Sequence, residues 1–398
     1  MQARNLALLV TCQLISATGM IVMVTLAGVI GVGLASSKAF ATLPQSMMIV
    51  AVAMTTIPAT MLMQRVGRRR GFMAASLSAA FAMLVAIVAL WMQSFLLFLA
   101  AAMLFGINAA FTQQYRYAAA ESVAPRYVPR AVSFVLLGAI GGAFVGPEIV
   151  TFGKDLQAGI PYAGTMAVVG FLFVLQAGLF VFMREPQPRD EHEQAEIVRE
   201  LGEIARQPLF VVAVLGGTVG YGTMTLVMTA TPLAMHINDG FSMEQTASVI
   251  RAHVLGMYVP SLFAGFLIER FGILRLMFVG ALGLIATSFV GLQGHAYLHY
   301  WWALVLLGVG WNFLYVGGTT LLTYTYSLSE RFRAQGVNEF LVFGTSATTS
   351  LLAGTVMHFF GWNVLMWIPV PMLLLVCLAI AAVRKDPLLS HRQALVPE

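Results

Sequence analysis

The sequence predicts an all-α membrane protein of twelve transmembrane helices, arranged as two six-helix halves. Three observations predict this class. Apolar runs of twenty or more residues recur along the chain, basic residues gather on one side of them, and the chain repeats itself at an offset of 205.

The runs come first. Of 398 residues, 59% are hydrophobic and only 10% charged. A soluble protein of this length would carry about 25% charge. Twelve segments are long and apolar enough to cross a bilayer: 6–33, 42–63, 71–92, 94–119, 131–153, 161–183, 208–236, 245–268, 273–293, 297–325, 335–359 and 362–383. The first is too long for the core of a signal peptide and follows Arg4, so it is expected to be retained.

Charge then sets the topology. With the amino terminus inside, every Lys and Arg except Lys38, Lys154 and Arg251 falls in a cytoplasmic segment. The positive-inside rule therefore predicts that both termini are cytoplasmic. The formal charge of +5 reflects this asymmetry and does not suggest a nucleic-acid partner. Cys12 and Cys377 lie in the first and last runs and give no disulfide framework. No phosphate-binding glycine loop, no HExxH and no serine with a base at readable spacing occurs, so neither an enzyme nor a resident cofactor is expected.

The repeat supplies the halves. Arg65-Val66-Gly67 aligns with Arg270-Phe271-Gly272, Arg126-Tyr127 with Arg331-Phe332, and Val132 with Val337. The predicted organisation is a first half over 1–184, an amphipathic cytoplasmic linker helix over 185–207, and a second half over 208–398. In the linker, Ile197, Leu201 and Ile204 share one helical face. In the fifth run, Gly138, Gly142 and Gly146 recur every four residues, a spacing that lets helix backbones approach closely.

The seventh and eighth runs hold the chemistry that stands out. Met224 and Met228 lie four apart in one, and His253 and Met257 four apart in the next. Residues four apart share a helix face. The two helices are joined by the turn Ile237-Asn238-Asp239-Gly240. Counted from the expected helix ends near His236 and Gln245, Met228 and His253 lie eight residues in, and Met224 and Met257 twelve. At 1.5 Å per residue both pairs fall about 12–18 Å below the outer ends. Three thioethers and an imidazole at one depth make a soft ligand set suited to copper. Each spacing alone is no commoner than chance, and methionine packs well in any helix. The weight lies in the coincidence of depth and in His253, an ionisable group inside the hydrocarbon layer.

Two parallel six-helix repeats with a basic loop after the second helix of each half resemble the major facilitator superfamily over the whole chain. The loop signature reads Gly265-Phe266-Leu267-Ile268-Glu269-Arg270-Phe271-Gly272 in the second half. In the first it reads Gln64-Arg65-Val66-Gly67-Arg68, with Gln64 where the signature has an acid and Thr60 where it has the leading glycine. Within that superfamily the Met-x-x-x-Met and His-x-x-x-Met pair resembles the CcoA-type copper importers of bacteria. The resemblance implies that copper, as transported substrate, is held by Met224, Met228, His253 and Met257. It also implies supply of haem-copper (cbb-type) oxidase assembly and a copper-accepting protein in the cytoplasm, the carrier itself being a monomer in the lipid bilayer. The same branch is similar to bacterial riboflavin transporters. The alternative is therefore a carrier of a small organic solute such as riboflavin or a drug, with or without proton coupling.

Other residues carry lesser expectations. Met235, His236 and Met243 flank the outer turn, and His295 and His299 lie four apart beyond the ninth helix. They suit outer metal capture, or ordinary solvated loop positions. Glu148 and Arg251 are charges near the outer ends of the fifth and eighth runs. They are expected to pair as a gate, as a proton-linked switch or as a static ion pair. Asn108, Gln113, Trp311 and Asn312 are candidates to line a cavity, and Arg116 and Glu121 are expected to snorkel or pair locally.

Overall fold

A computed structural model describes residues 2–35, 43–154, 156–157, 159–185 and 199–386. Among these the secondary structure is helical throughout. The chain divides into two units, Met1–Ser122 with Val135–Glu193, and Val123–Phe134 with Gln194–Glu398.

The first unit contains α1 (Gln2–Leu34), α2 (Leu43–Val66), α3 (Arg68–Trp91), α4 (Phe95–Thr112), α5 (Tyr115–Glu121), most of α6 (Val128–Gly153) and α7 (Ala163–Phe180). Small residues set its packing. Alanines at 75, 79, 82, 86 and 89 of α3 are all buried, so α4 and α7 come close to its backbone. A Cβ on Gly138 would lie 2.5 Å from the carbonyl oxygen of Val10, and one on Gly142 2.7 Å from the amide of Thr18. The predicted glycine stripe is thus a packing seam against α1. One buried polar side chain in this unit is satisfied on several sides, as a hydrocarbon environment favours. Gln176 accepts from Ser16 at 3.1 Å and donates to Ser76 and Tyr115 at 2.9 and 3.0 Å.

The second unit contains α8 (Leu201–Ala205), α9 (Pro208–Pro232), α10 (Met243–Tyr258), α11 (Ser261–Phe271), α12 (Ile273–Leu292), α13 (Tyr297–Leu322), α14 (Arg331–Trp367) and α15 (Pro369–Ala382). α13 is the central post, with α9, α10 and α12 all packed on it. Glycines again set the approach: a Cβ on Gly280 would lie 2.9 Å from the carbonyl of Gly310, and one on Gly256 2.8 Å from that of Val305. Pro260 lacks an amide hydrogen and separates α10 from α11, so the eighth span is one crossing with a break.

Among the described residues, eleven helical stretches are long and apolar enough to cross a membrane, the last covering 52 residues from Arg331 to Ala382. At 1.5 Å per residue that stretch is more than twice the thickness of a hydrocarbon core. Gly361 sits inside it with φ 75° and ψ 179°, a non-helical conformation that favours glycine, and divides it into two crossings. Twelve spans result, as the sequence predicts.

The repeat is also visible in the backbone. Gly67 (φ 86°, ψ 161°) and Gly272 (φ 88°, ψ 151°) have nearly the same left-handed conformation, each between two helices. Arg126 lies 4.6 Å over the Tyr127 ring and Arg331 4.7 Å over that of Phe332. All three pairs, Gly67 with Gly272, Arg126 with Arg331 and Tyr127 with Phe332, follow the 205-residue offset.

The linker is described only at its two ends. Its described part is helical only over Leu201–Ala205, with Ile204 buried, while Arg199 and Glu200 precede the helix. Ile197 and the rest of 186–198 lie outside the described residues, as do Lys38 and the residues after 386. Arg199 grips Glu330 with two side-chain nitrogens, at 2.8 and 2.6 Å, and with its backbone amide at 2.9 Å.

Candidate functional site

The second unit places the Met and His candidates around the middle of α13. α9 runs antiparallel to α13. A Cβ on Gly318 would touch the carbonyl of Ala213 at 3.0 Å, and one on Gly220 would touch the Leu314 side chain at 3.2 Å. Continued along the helix, this pairing puts Met224 and Met228 about half a turn to either side of Gly308 in height. α10 runs parallel to α13, and Gly308 lies directly against it: a Cβ there would sit 2.5 Å from the His253 carbonyl and 2.6 Å from the Met257 amide. The four residues therefore lie at matching depths on helices that flank one post. Met224, His253 and Met257 are buried and Met228 half-buried. α9 and α10 themselves touch only slightly.

His253 has one nitrogen engaged and one not. Its Nδ1 lies 2.9 Å from the carbonyl oxygen of Leu304, which can only accept, so Nδ1 carries the proton. Nε2 is then the bare nitrogen. It is buried and has no hydrogen-bond partner among the described residues. Among the described residues, no three His, Cys, Asp or Glu side chains gather where a metal ion could sit.

A cluster of aromatic rings lies beside this set. Tyr221 of α9 meets Trp311 and Tyr315 of α13 at 5.4 and 5.5 Å, and Phe343 of α14 at 5.1 Å. Trp311 and Tyr315 stack at 4.7 Å with 20° between their planes, and Tyr258 at the end of α10 stands edge-on to Trp311 at 6.2 Å. Asn312 donates to the Met257 carbonyl at 2.7 Å and to Ser261 at 2.6 Å, which ties α13 to the α10–α11 break.

The turn after α9 is a π-helical segment, Leu233–Asn238, rather than a plain loop. Met235 is buried within it. His236 is exposed, with Nδ1 2.7 Å from the Phe241 carbonyl. Met243 opens α10, and its side chain is outside the described residues. His295 lies 2.9 Å from the Asp239 carboxylate, which also accepts from Tyr300 at 2.6 Å, and His299 accepts from the Ala296 amide at 3.3 Å. Each of these three histidines thus has a local structural partner. Glu148 in the first unit and Arg251 in the second are both exposed.

The loop-signature residues have distinct jobs. Gly265 lies against the backbone of Arg130, where a Cβ would come within 2.8 Å, and Glu269 accepts from Arg130 at 2.5 Å. Gly67 faces the Glu185 carboxylate, which accepts from the amide of Arg69 at 3.0 Å. Arg65 and Arg270 are exposed. Arg68 is buried and makes a two-pronged pair with Glu121, at 2.8 and 2.6 Å. Glu121 therefore pairs across 53 residues rather than locally. Arg116 does bond locally, to Gln113 at 3.1 Å and to the Tyr117 hydroxyl at 3.3 Å.

A family model described as the Major Facilitator Superfamily matches the chain twice, over residues 9–250 and 223–397. The chain belongs to the Major Facilitator Superfamily. It is a membrane transporter and not an enzyme. It is 35% identical to the riboflavin transporter RfnT of Brucella anthropi over 94% of both chains. It is also 25% identical to the MFS-type transporter YddS of Bacillus subtilis, over 91% of this chain and 86% of that one. In structure it resembles the fucose:proton symporter FucP of E. coli, with a TM-score of 0.74 over 96% of this chain and 98% of that one. At 15% identity that likeness concerns the fold alone. Membership is shown at the level of the superfamily.

Proposed function

We propose that this major facilitator carries a small planar organic solute of the riboflavin kind across the bacterial cytoplasmic membrane, with both termini on the cytoplasmic side. The observation that carries the proposal is the 35% identity to a riboflavin transporter along 94% of both chains. The aromatic lining of α9, α13 and α14 suits such a solute better than a hydrated ion. Glu148 and Arg251 remain the candidates for a gate or a proton-linked pair. The test is growth of a bacterium unable to make riboflavin, supplied with limiting riboflavin and expressing this chain. Growth restored by the chain supports the reading, and no growth despite membrane expression rejects it.

A second reading, copper import through Met224, Met228, His253 and Met257, is favoured by the bare, buried Nε2 of His253. An imidazole whose other nitrogen is fixed by a carbonyl is the usual form of a metal-ligating histidine. Cellular copper accumulation in the same strain separates the two.

A further inference from the structure

The aromatic cluster of the second unit has features that simple packing does not require. Tyr221 lies near the midpoint of α9 and Trp311 near that of α13. A core at this depth packs as well with Phe and Leu, which bring no polar atoms to be desolvated. Here three tyrosines and a tryptophan meet instead. Trp311, Tyr315 and Phe343 are buried, while Tyr221 and Tyr258 are only half-buried, so the cluster has a closed back and an open edge. Polar valences are left over beside it. The indole N–H of Trp311 is buried and has no acceptor among the described residues. The side-chain oxygen of Asn312 is buried and has no donor, although its nitrogen is used twice. One unused donor and one unused acceptor thus stand on consecutive residues, next to a stack of rings.

We infer that Tyr221, Tyr258, Trp311 and Tyr315 form the platform on which the transported solute lays a flat heteroaromatic ring, with Trp311 and Asn312 meeting the polar edge of that ring. The inference rests on the proposed organic-solute reading and names the part of the solute that is recognised. A flavin ring has two matching features: a broad apolar face, and an edge on which carbonyls alternate with an N–H. Ring-on-ring contact is tolerant of detail and strong per unit area. Met224, one turn from Tyr221, and Met257, adjacent to Tyr258, are accounted for in the same way, because thioethers sit well against ring edges.

The test uses the purified full chain in detergent with two fluorescent probes: riboflavin, and lumiflavin, which keeps the ring and lacks the sugar-like chain. Stacking on Tyr or Trp quenches flavin emission. The wild-type chain should bind and quench both probes. Tyr221→Leu and Tyr258→Leu should each weaken binding roughly tenfold, and Tyr221→Phe should stay close to wild type. Binding of riboflavin by dialysis without quenching, or leucine variants that bind as wild type, would overturn the platform and leave the solute reading standing. Failure of the wild-type chain to bind either flavin would remove both. The quenching measurement on the wild-type chain decides even where a leucine variant does not fold.

Discussion

The Nδ1–H of His253 donates to the carbonyl of Leu304, 2.9 Å away across the seam between α10 and α13. That bond fixes the ring and leaves Nε2 as the only nitrogen with a lone pair to offer. Three residues later Gly256 meets Val305, and Asn312 then closes on the Met257 carbonyl. The seam is tied at three successive heights, so α10 and α13 carry any ligand between them as one piece.

The two readings of the thioethers differ in what a volume-conserving change does. Leucine in place of Met224 and Met228 keeps the packing, with a cost below about 1.5 kcal/mol per site. Riboflavin uptake should fall only a few-fold, since the change removes a thioether–ring contact at Met224 and leaves the bulk in place. Paired uptake of labelled riboflavin and radiocopper in the same cells checks this. A large loss of copper entry alone would transfer the site to the metal.

Gly308 is the tightest point of the seam. A methyl group there would lie 2.5 Å from the His253 carbonyl and 2.6 Å from the Met257 amide, both backbone atoms that cannot turn away. Gly308→Ala should push α10 off α13, destabilise the protein by about 1–3 kcal/mol and depress transport. Thermal aggregation in detergent reads the first effect and vesicle uptake the second. The same substitution at Gly344, around which the Cβ would have open space, serves as the control.

Arg68 and Glu121 form a nearly dry ion pair, their side chains 2% and 7% exposed. Removing one partner leaves a buried charge uncompensated. Arg68→Ala or Glu121→Ala should therefore cost about 3–5 kcal/mol. The double variant Arg68→Met/Glu121→Leu should be less damaging than either single one. A thermal-shift series on the four proteins checks the order; additive losses would contradict it.

The Arg199 guanidinium beside Glu330 holds its carboxyl down to about 2, below the ordinary 4.5, with help from the amides of Ser327 and Arg199. A depressed carboxylate contributes fully above its unfolded pKa and loses that contribution as pH falls toward the folded one. Anchoring of the linker should thus be flat between about pH 5 and 8 and weaken only in stronger acid. Glu330→Gln should loosen it at every pH, by roughly tenfold in the docked-to-free ratio. The mobility of a spin label at position 200 reports both.

Much of this architecture was legible before any coordinates. Length and hydropathy suffice for the spans, because a helix must cross about 30 Å of hydrocarbon. The two loop glycines at the 205-residue offset do share one backbone conformation. Matching depth for the Met and His residues also follows from counting, because α9 and α10 meet at one turn. The aromatic cluster was not legible. Its rings sit at 221, 258, 311, 315 and 343, and no periodicity links residues that only tertiary packing brings together. Trp311 and Asn312 stood out alone, as polar groups at mid-span. The partner of Glu121 was hidden for the same reason: a charge at a helix end reads as snorkelling until a distant arginine is seen beside it. Of the amphipathic linker helix expected over 185–207, the described residues hold one short helical stretch, Leu201–Ala205, beside the Arg199–Glu330 contact, which no charge pattern points to.

The most direct measurement is uptake into vesicles reconstituted with the purified chain alone, offered labelled riboflavin in one arm and radiocopper in the other. The account predicts saturable riboflavin entry, competed by lumiflavin and lost in Tyr221→Leu, with copper no faster than in empty vesicles. Copper entry abolished by His253→Ala, with no riboflavin entry, would contradict it.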